Sequence, residues 1–224
     1  MINPVEYIKQ KYSISGENPG ILKEANRQEL YKLFAELGYT KGCEVGVEKG
    51  KNAQDMFEYI PNLKLYAVDP YKQHHKYGNE ATTYLRIWND RYLRMVKRQA
   101  QKRLQDKNAV IIEKFSEDAA RDIPDNSLDF VYIDGDHSYD YFMLDIIIWG
   151  RKVRKGGIMS GHDYFYDNNK PGRQAKVTQA VNNYIRVHDI EFYITDEGPY
   201  VRKGDTPPSW FWVKQEDIWP NVIR

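Results

Sequence analysis

The chain has 224 residues, with 33 Lys and Arg against 32 Asp and Glu, so its net charge is only +1. That balance gives no global field to draw in nucleic acid or an anionic membrane, and no apolar run approaches the ~20 residues of a membrane span. The hydrophobic share of 41% supports a full core, and the length fits one domain spanning residues 1–224.

The opening segment, Met1-Ile2-Asn3-Pro4-Val5-Glu6-Tyr7, carries no signal-peptide pattern, so the expected setting is the cytoplasm. Residues 1–20 contain Pro4, Gly16, Pro19 and Gly20 and read as a short helix followed by a loop. Residues 21–37 place Leu22, Ala25, Leu30, Leu33, Phe34 and Leu37 at near-helical spacing, with Gly38 as the C-cap. Residues 1–40 are thus an N-terminal helical segment. The first core strand falls at about 42–45 and contains Cys43, the sole cysteine. No intrachain disulfide can form, which fits a reducing compartment.

A helix is predicted from about Asn52 to Tyr59, stopping before Pro61, and a second strand over 64–68. Residues 70–108 are longer than an ordinary crossover and read as a helical lid insertion. Leu85, Trp88, Tyr92, Val96, Ala100 and Leu104 share one stripe, as one long helix or two short ones. The other faces carry Arg86, Arg91, Arg94, Lys97, Arg98, Lys102 and Arg103, which suit an anionic acceptor or a solvated face.

A buried-type strand follows at 109–112, then a short helix N-capped by Ser116 with Glu117 and Asp118 in its first turn. Strands at 128–133 and 158–160 flank a helix over 139–150, and a further helix spans 174–188. Two final strand candidates, 191–195 and 210–214, form an expected C-terminal hairpin within 189–215. Strands alternating with helices predict an α/β fold, a mostly parallel sheet with helices on both faces.

Chemistry concentrates where strands end. Glu44-Val45-Gly46-Val47-Glu48-Lys49-Gly50 breaks a strand into a glycine turn that opens a helix, and Val68-Asp69 ends the next strand in an acid. Such a pair suits a nucleoside, since glycines let the backbone approach and the acid accepts from two ribose hydroxyls. The spacing is not the dinucleotide fingerprint, because Glu48 stands where that pattern needs a glycine. Ile133-Asp134-Gly135-Asp136-His137 and Gly161-His162-Asp163 end two later strands in acids and imidazoles.

These segments, with Val68-Asp69-Pro70-Tyr71, Ser138-Tyr139 and Lys155-Gly156-Gly157-Ile158-Met159-Ser160 leading into Gly161-His162-Asp163-Tyr164, resemble class I S-adenosylmethionine-dependent methyltransferases over roughly residues 40–165. Within that class they look most like the small-molecule branch that includes macrolide and aminocoumarin sugar O-methyltransferases. The resemblance implies a Rossmann-like, seven-stranded sheet with an antiparallel final hairpin. It implies that Glu44, Gly46 and Gly50 line the methionine end of S-adenosylmethionine, that Asp69 binds the ribose, and that Ser116 and Glu117 approach the adenine. Asp134 would sit where the sulfonium meets the acceptor. The chain departs from most of the class at Val47 and Glu48, where a second glycine is usual.

In a parallel sheet neighbouring strand ends lie ~5 Å apart, so Asp134, Asp136, His137, His162 and Asp163 can converge. Asp134, His162 and Asp163 form a candidate site for Mg²⁺ or Mn²⁺, with the His162 nitrogen favouring softer ions than Mg²⁺. A divalent ion there could bind vicinal hydroxyls, with His137 as the base. The other reading has Asp134 contacting the cofactor or capping a turn, and the histidines as hydrogen-bonding loop residues. His74-His75 suits a lid better than a metal, because adjacent residues point apart.

Tyr71, Tyr77, Tyr84 and Trp88 are candidates for one acceptor wall, and Tyr164, Phe165 and Tyr166 for the other. The expected reaction is methyl transfer to a hydroxyl of a small molecule, foremost a sugar or glycoside. Metal-free N-methylation of a small amine and a non-catalytic cofactor-binding subunit are the alternatives. Neither nucleic acid nor membrane is an expected partner. The aromatic-rich N-terminal and lid segments are candidates for packing in a homo-oligomer.

Overall fold

The structure is a computed structural model that describes residues 3–72, 89–164, 174–196 and 207–217. In chain order the elements are α1 (Pro4–Lys11), β1 (Ile14–Ser15), β2 (Gly20–Leu22), α2 (Arg27–Glu36), β3 (Lys41–Val45), α3 (Lys51–Tyr59), β4 (Lys64–Val68) and α4 (Asp90–Leu104). Then come β5 (Ala109–Ile112), α5 (Ser116–Ala119), β6 (Leu128–Ile133), α6 (Tyr139–Gly150), β7 (Val153–Gly161), α7 (Gln174–His188), β8 (Tyr193–Thr195) and β9 (Trp210–Val213).

The nine strands among the described residues form one sheet in the order β1-β2-β8-β9-β7-β6-β3-β4-β5. The run β7-β6-β3-β4-β5 is parallel throughout, and β9 lies antiparallel to both β7 and β8. The expected parallel sheet with an antiparallel end is therefore present, inside a larger sheet of nine strands rather than seven.

The two extra strands come from the N-terminal segment, which is not helical throughout. β1 and β2 pair antiparallel, and β2 continues the sheet alongside β8. Leu22 and Ala25 fall by chance on the helical period of the following stripe, and only the partner strand reveals the extended conformation. Gly20 permits the pairing, since a Cβ there would lie 2.9 Å from the Tyr193 ring. The helix begins at Arg27 behind an Asn26 N-cap, whose side chain accepts from the Glu29 amide. It ends as expected into Gly38, at φ +73°, and the Tyr39 amide closes back on the Phe34 carbonyl.

Helices cover both faces of the sheet. On one side α2, α3 and α4 bury Leu30, Phe34, Met56, Val96 and Ala100 against Leu65, Phe130 and Tyr132. Phe34 stacks on Phe130 with centroids 4.5 Å apart. On the other side α6 and α7 bury Phe142, Trp149, Val177 and Val181 against Val131, Met159 and Trp210. No helix among the described residues is long and apolar enough to cross a membrane.

The register sets the site. Val45 pairs with Val68 and Ile133, Val68 with Ile112, and Ile133 with Gly161. Five strand ends are thus level, and the turns after them share one rim. Between β3 and β6 the strand order reverses direction, which opens a crevice at that rim.

Phe34 and Phe130 are both fully buried. Phe34→Ala is expected to cost ~3–5 kcal/mol of stability by leaving a cavity against Phe130, measured by urea unfolding.

Candidate active site

The turn after β3 is forced close to the turn after β6. Gly46 has φ +92°, and a Cβ on it would lie 2.1 Å from the Asp134 carbonyl oxygen. The Asp134 amide donates to the Val45 carbonyl at 2.7 Å, which fixes the two turns side by side. Gly50 is the left-handed N-cap of α3, and its absent Cβ makes room for Ala100 of α4 at 3.0 Å. Its role here is helix packing; Gly46 is the glycine that faces the Asp134 turn.

Asp69 organises this turn from the next strand. Its Oδ2 accepts from the Val47 amide (3.1 Å) and the Glu48 amide (2.9 Å), while Oδ1 accepts from the Tyr71 amide (2.8 Å). Burial raises its pKa above the ordinary value, against the lowering by these three amides. Oδ2 thus has both lone pairs filled, and Oδ1 keeps one with which to accept from a ribose hydroxyl. Glu48 takes a left-handed φ of +46°. The backbone there is held by Asp69, and the Glu48 carboxylate is bound by the Tyr92 hydroxyl of α4 and by Lys49.

Glu44 is 1% exposed on β3. Its Oε1 accepts from Asn52 Nδ2 at 2.8 Å, and Asn52 in turn accepts from the Tyr31 hydroxyl. Its Oε2 is buried without a hydrogen-bond partner among the described residues. Burial, reinforced by Asp134, pushes its pKa up to about 8. Asn52 and Tyr31 belong to this cluster, and the sequence reading missed them, because their approach to Glu44 depends on how α2 and α3 dock.

Ser116 is the first residue of α5 rather than its N-cap, which is Phe115. Its hydroxyl does not face the rim: it donates to Asp145 and accepts from Trp149 Nε1 at 2.7 Å, both on α6. Any approach of Ser116 to an adenine therefore falls to its backbone, with half-buried Glu117 beside it. A cleft of about 370 Å³ lies alongside, between Pro70 and Lys72 after β4 and Phe115 and Asp118 after β5.

The rim after β6 and β7 carries the acid and histidine cluster. His137 Nε2 lies 2.9 Å from Asp163 Oδ2 and 3.6 Å from Asp134 Oδ1. His162 Nδ1 lies 3.5 Å from Asp163 Oδ1. Burial lowers the His137 pKa, but hydrogen bonds and charge from Asp134 and Asp163 outweigh it and raise the pKa to about 10. Burial likewise raises that of Asp163, and the two histidines outweigh it, holding this carboxyl well below the usual range. Asp163 adopts φ +62°, which turns its side chain back toward the β6 end. Asp136 stands apart as a turn residue, accepting from the Ser138 amide at 2.8 Å ahead of α6.

Asp134, His162 and Asp163 offer ligand atoms that all lie within 4.8 Å of one another. The His162 Nε2 is buried without a hydrogen-bond partner among the described residues. Two carboxylates and an imidazole within this distance fit a divalent cation.

Of the aromatic candidates, Tyr71 is 7% exposed with φ +46°, and its hydroxyl is buried without a partner among the described residues. Tyr164 is a core residue instead of an acceptor wall. It is 4% exposed, its hydroxyl donates to Asn182 at 3.0 Å, and its ring meets Phe192 edge-on. The apolar ring is drawn under β7 by packing. Tyr77, Tyr84, Trp88, Phe165, Tyr166, His74 and His75 lie outside the described residues.

Residues 43–164 match a family described as a methyltransferase domain, over more than half of the chain. The chain belongs to this methyltransferase family. It is a class I enzyme that uses S-adenosylmethionine, and the matched span covers every motif described above at the rim. Solved structures agree on the fold. A Corynebacterium glutamicum protein superposes with TM-score 0.56 at 13% identity, covering 97% of this chain and 92% of that one. A Staphylococcus aureus protein described as a caffeoyl-CoA O-methyltransferase gives 0.58 at 12%, covering 94% and 90%. Thermotoga maritima spermidine synthase gives 0.50 at 12%, covering 89% of this chain and 64% of that one. No curated protein matches the chain significantly by sequence.

Two outcomes are expected for this methyltransferase. Gly46→Ala should unfold at a lower temperature and lose S-adenosylhomocysteine binding, because backbone at Asp134 blocks the new Cβ; melting and calorimetric titration check both. Asp145 is buried, and burial pushes its pKa up to about 7. A carboxyl raised in the folded state binds its proton more tightly there than when unfolded. Its contribution to stability is therefore lost as pH rises from about 4 through about 7. Asp145→Asn should gain stability over the wild type progressively across that window, read from thermal melts at pH 5 and pH 8.

Proposed function

We propose that this methyltransferase acts on a hydroxyl of a small molecule, foremost a sugar or glycoside, with a divalent ion held by Asp134, His162 and Asp163. The observation that carries this reading is the convergence of His137 on Asp134 and Asp163, beside His162, which offers a third ligand atom within 4.8 Å of the two carboxylates. S-adenosylmethionine supplies an electrophilic methyl group. A divalent ion here, Mg²⁺ or Mn²⁺, would supply Lewis acidity that lowers the pKa of a vicinal hydroxyl pair.

The chain's own work is to orient, to exclude water and to move one proton. Gly46 leaves room for the cofactor's backbone contacts, Asp69 takes the ribose and Glu44 the amino-acid end. Glu117 and the Ser116 backbone meet the adenine. Gly50 contributes by setting α3 against α4. Asp134 and Asp163 anchor acceptor and ion together, and His137 takes the acceptor proton. His137 is charged while Asp134 and Asp163 stand beside it. A proton on His137 and a cation on the carboxylates therefore compete for the same negative charge, so binding the cation frees His137 to act as a base. Tyr71, Tyr77 and Trp88 are proposed for the acceptor side. Localisation in the cytoplasm and assembly as a homo-oligomer fit this reading.

The test is release of S-adenosylhomocysteine over a panel of vicinal-diol sugars and glycosides. Chelation should reduce turnover at least ~100-fold, with Mg²⁺ or Mn²⁺ restoring it. Chelator-resistant turnover on amines would replace this reading with metal-free N-methylation, and no turnover despite tight cofactor binding would indicate a non-catalytic subunit. His137→Gln should lower kcat by ~100- to 10,000-fold. Asp134→Ala should abolish turnover and spare most cofactor affinity; equal loss of both would make Asp134 a cofactor residue.

A further inference from the structure

Helix α6 does not have the sequence of a helix lying between a sheet and water. Tyr139 to Gly150 hold only two charged side chains, Asp140 and Asp145, in a chain where 29% of residues are charged. Asp145 is buried and turned inward, where it accepts from the Ser116 hydroxyl. Between Asp140 and Arg151 the outer face of the helix therefore carries no charge. A helix that is apolar all round is normally enclosed on every side. This one is not: Leu144 is 37% exposed, and Met143, Ile147 and Ile148 are half-buried.

The outer residues fall in a telling order. At ~100° per residue, Asp140, Leu144, Ile147 and Arg151 lie within an arc of ~60°. Arg151 is the C-cap and keeps helical backbone angles (φ −68°, ψ −29°), so it stays on the stripe. Phe142, Asp145, Ile146 and Trp149 lie on the opposite side and are the buried ones. The stripe reads acid, apolar, apolar, base, and it is its own complement when reversed. Two copies packed antiparallel would set Leu144 against the partner's Ile147 and Asp140 against the partner's Arg151. Both pairings share one midpoint, between residues 145 and 146, so a single two-fold axis serves them all. The end charges fit this arrangement. Asp140 is exposed, while Arg151 and Lys152 share one carboxylate, Asp125, at 2.9 and 2.7 Å, which leaves positive charge in excess at that end. Parallel packing would instead bring acid to acid and base to base.

We propose that the outer face of α6 is a homodimer interface, on which a second copy of this chain packs antiparallel across a two-fold axis. An isologous contact needs a self-complementary patch, and this stripe is one. Leu144 and Ile147 form its apolar centre, and the two Asp140–Arg151 pairs close its ends and fix the direction. A pair of helices buries less than the ~1,600 Å² of a standard interface, so association in the micromolar range is expected.

The experiment is sedimentation velocity of the full chain over ~1–300 µM. Wild type should pass from monomer to dimer within that range. Leu144→Glu puts two carboxylates beside the axis and should raise the dimer Kd at least ~30-fold. Its melting temperature and S-adenosylhomocysteine affinity should stay near those of the wild type, because Leu144 is already partly in water. Asp140→Arg and Arg151→Glu should each weaken self-association by roughly 3- to 30-fold, through like charges at both ends. Mixed in equal amounts, these two variants should associate about as well as the wild type, because the two basic ends of one copy then meet the two acidic ends of the other. The charge variants sit at the ends of the helix, so they decide the matter even where Leu144→Glu folds poorly. A wild type that stays monomeric to ~300 µM would overturn the proposal. A dimer that Leu144→Glu leaves intact would place the interface elsewhere and overturn it as well. A mixture no stronger than the single variants would overturn the antiparallel pairing.

Discussion

The site depends on one contact between backbones. The turns leaving β3 and β6 press together at Gly46 and Asp134, so tightly that a single methyl group would not fit between them. This is the place where the strand order reverses, and the level strand ends bring every other functional turn to the same rim. Helices pack on both faces and leave the rim open. The crevice is a consequence of sheet topology, and the residues around it are consequences of where strands stop.

Charge at the rim is arranged in two separate balances. On the β6 and β7 side, Asp134 and Asp163 share His137, and His162 supports Asp163. On the β3 side, burial strips Glu44 of water, and Asn52 gives back part of what is lost. Among the described residues, a nitrogen of His162 and an oxygen of Glu44 are buried without hydrogen-bond partners. Buried polar atoms without partners cost stability. The Ser116–Asp145–Trp149 set behind the rim differs, because each of its hydrogen bonds is internal.

Local rules are broken near these groups. Glu48, Tyr71 and Asp163 all adopt positive φ without being glycine. Each is tied down: the amides of Glu48 and Tyr71 are held by Asp69, and the Asp163 carboxylate is held by two histidines. Strain of this kind persists where surrounding contacts over-determine the backbone, and it concentrates where side chains must be aimed.

The sequence by itself determined the alternation of strands and helices, the strand ends and the identity of the acids and histidines on them. Hydrophobic runs at 64–68, 109–112 and 128–133 end where the strands end, because a buried parallel strand is a local pattern with sharp polar boundaries. Glycine turns and strand-end acids are likewise local, so Gly46, Asp69, Asp134 and His137 could be singled out without any fold. Only the tertiary structure decided what depends on a partner far along the chain. Leu22 looked helical and is extended, because β8 supplies its hydrogen bonds some 170 residues later. Tyr164 looked like an acceptor wall and is core, because Phe192 and Asn182 enclose it. Ser116 turns inward, because α6 offers Asp145 and Trp149. Tyr31 and Asn52 carried no local signal at all. Their place beside Glu44 follows from the docking of α2 and α3 on the sheet, and docking is fixed by packing between distant residues rather than by any pattern within one segment.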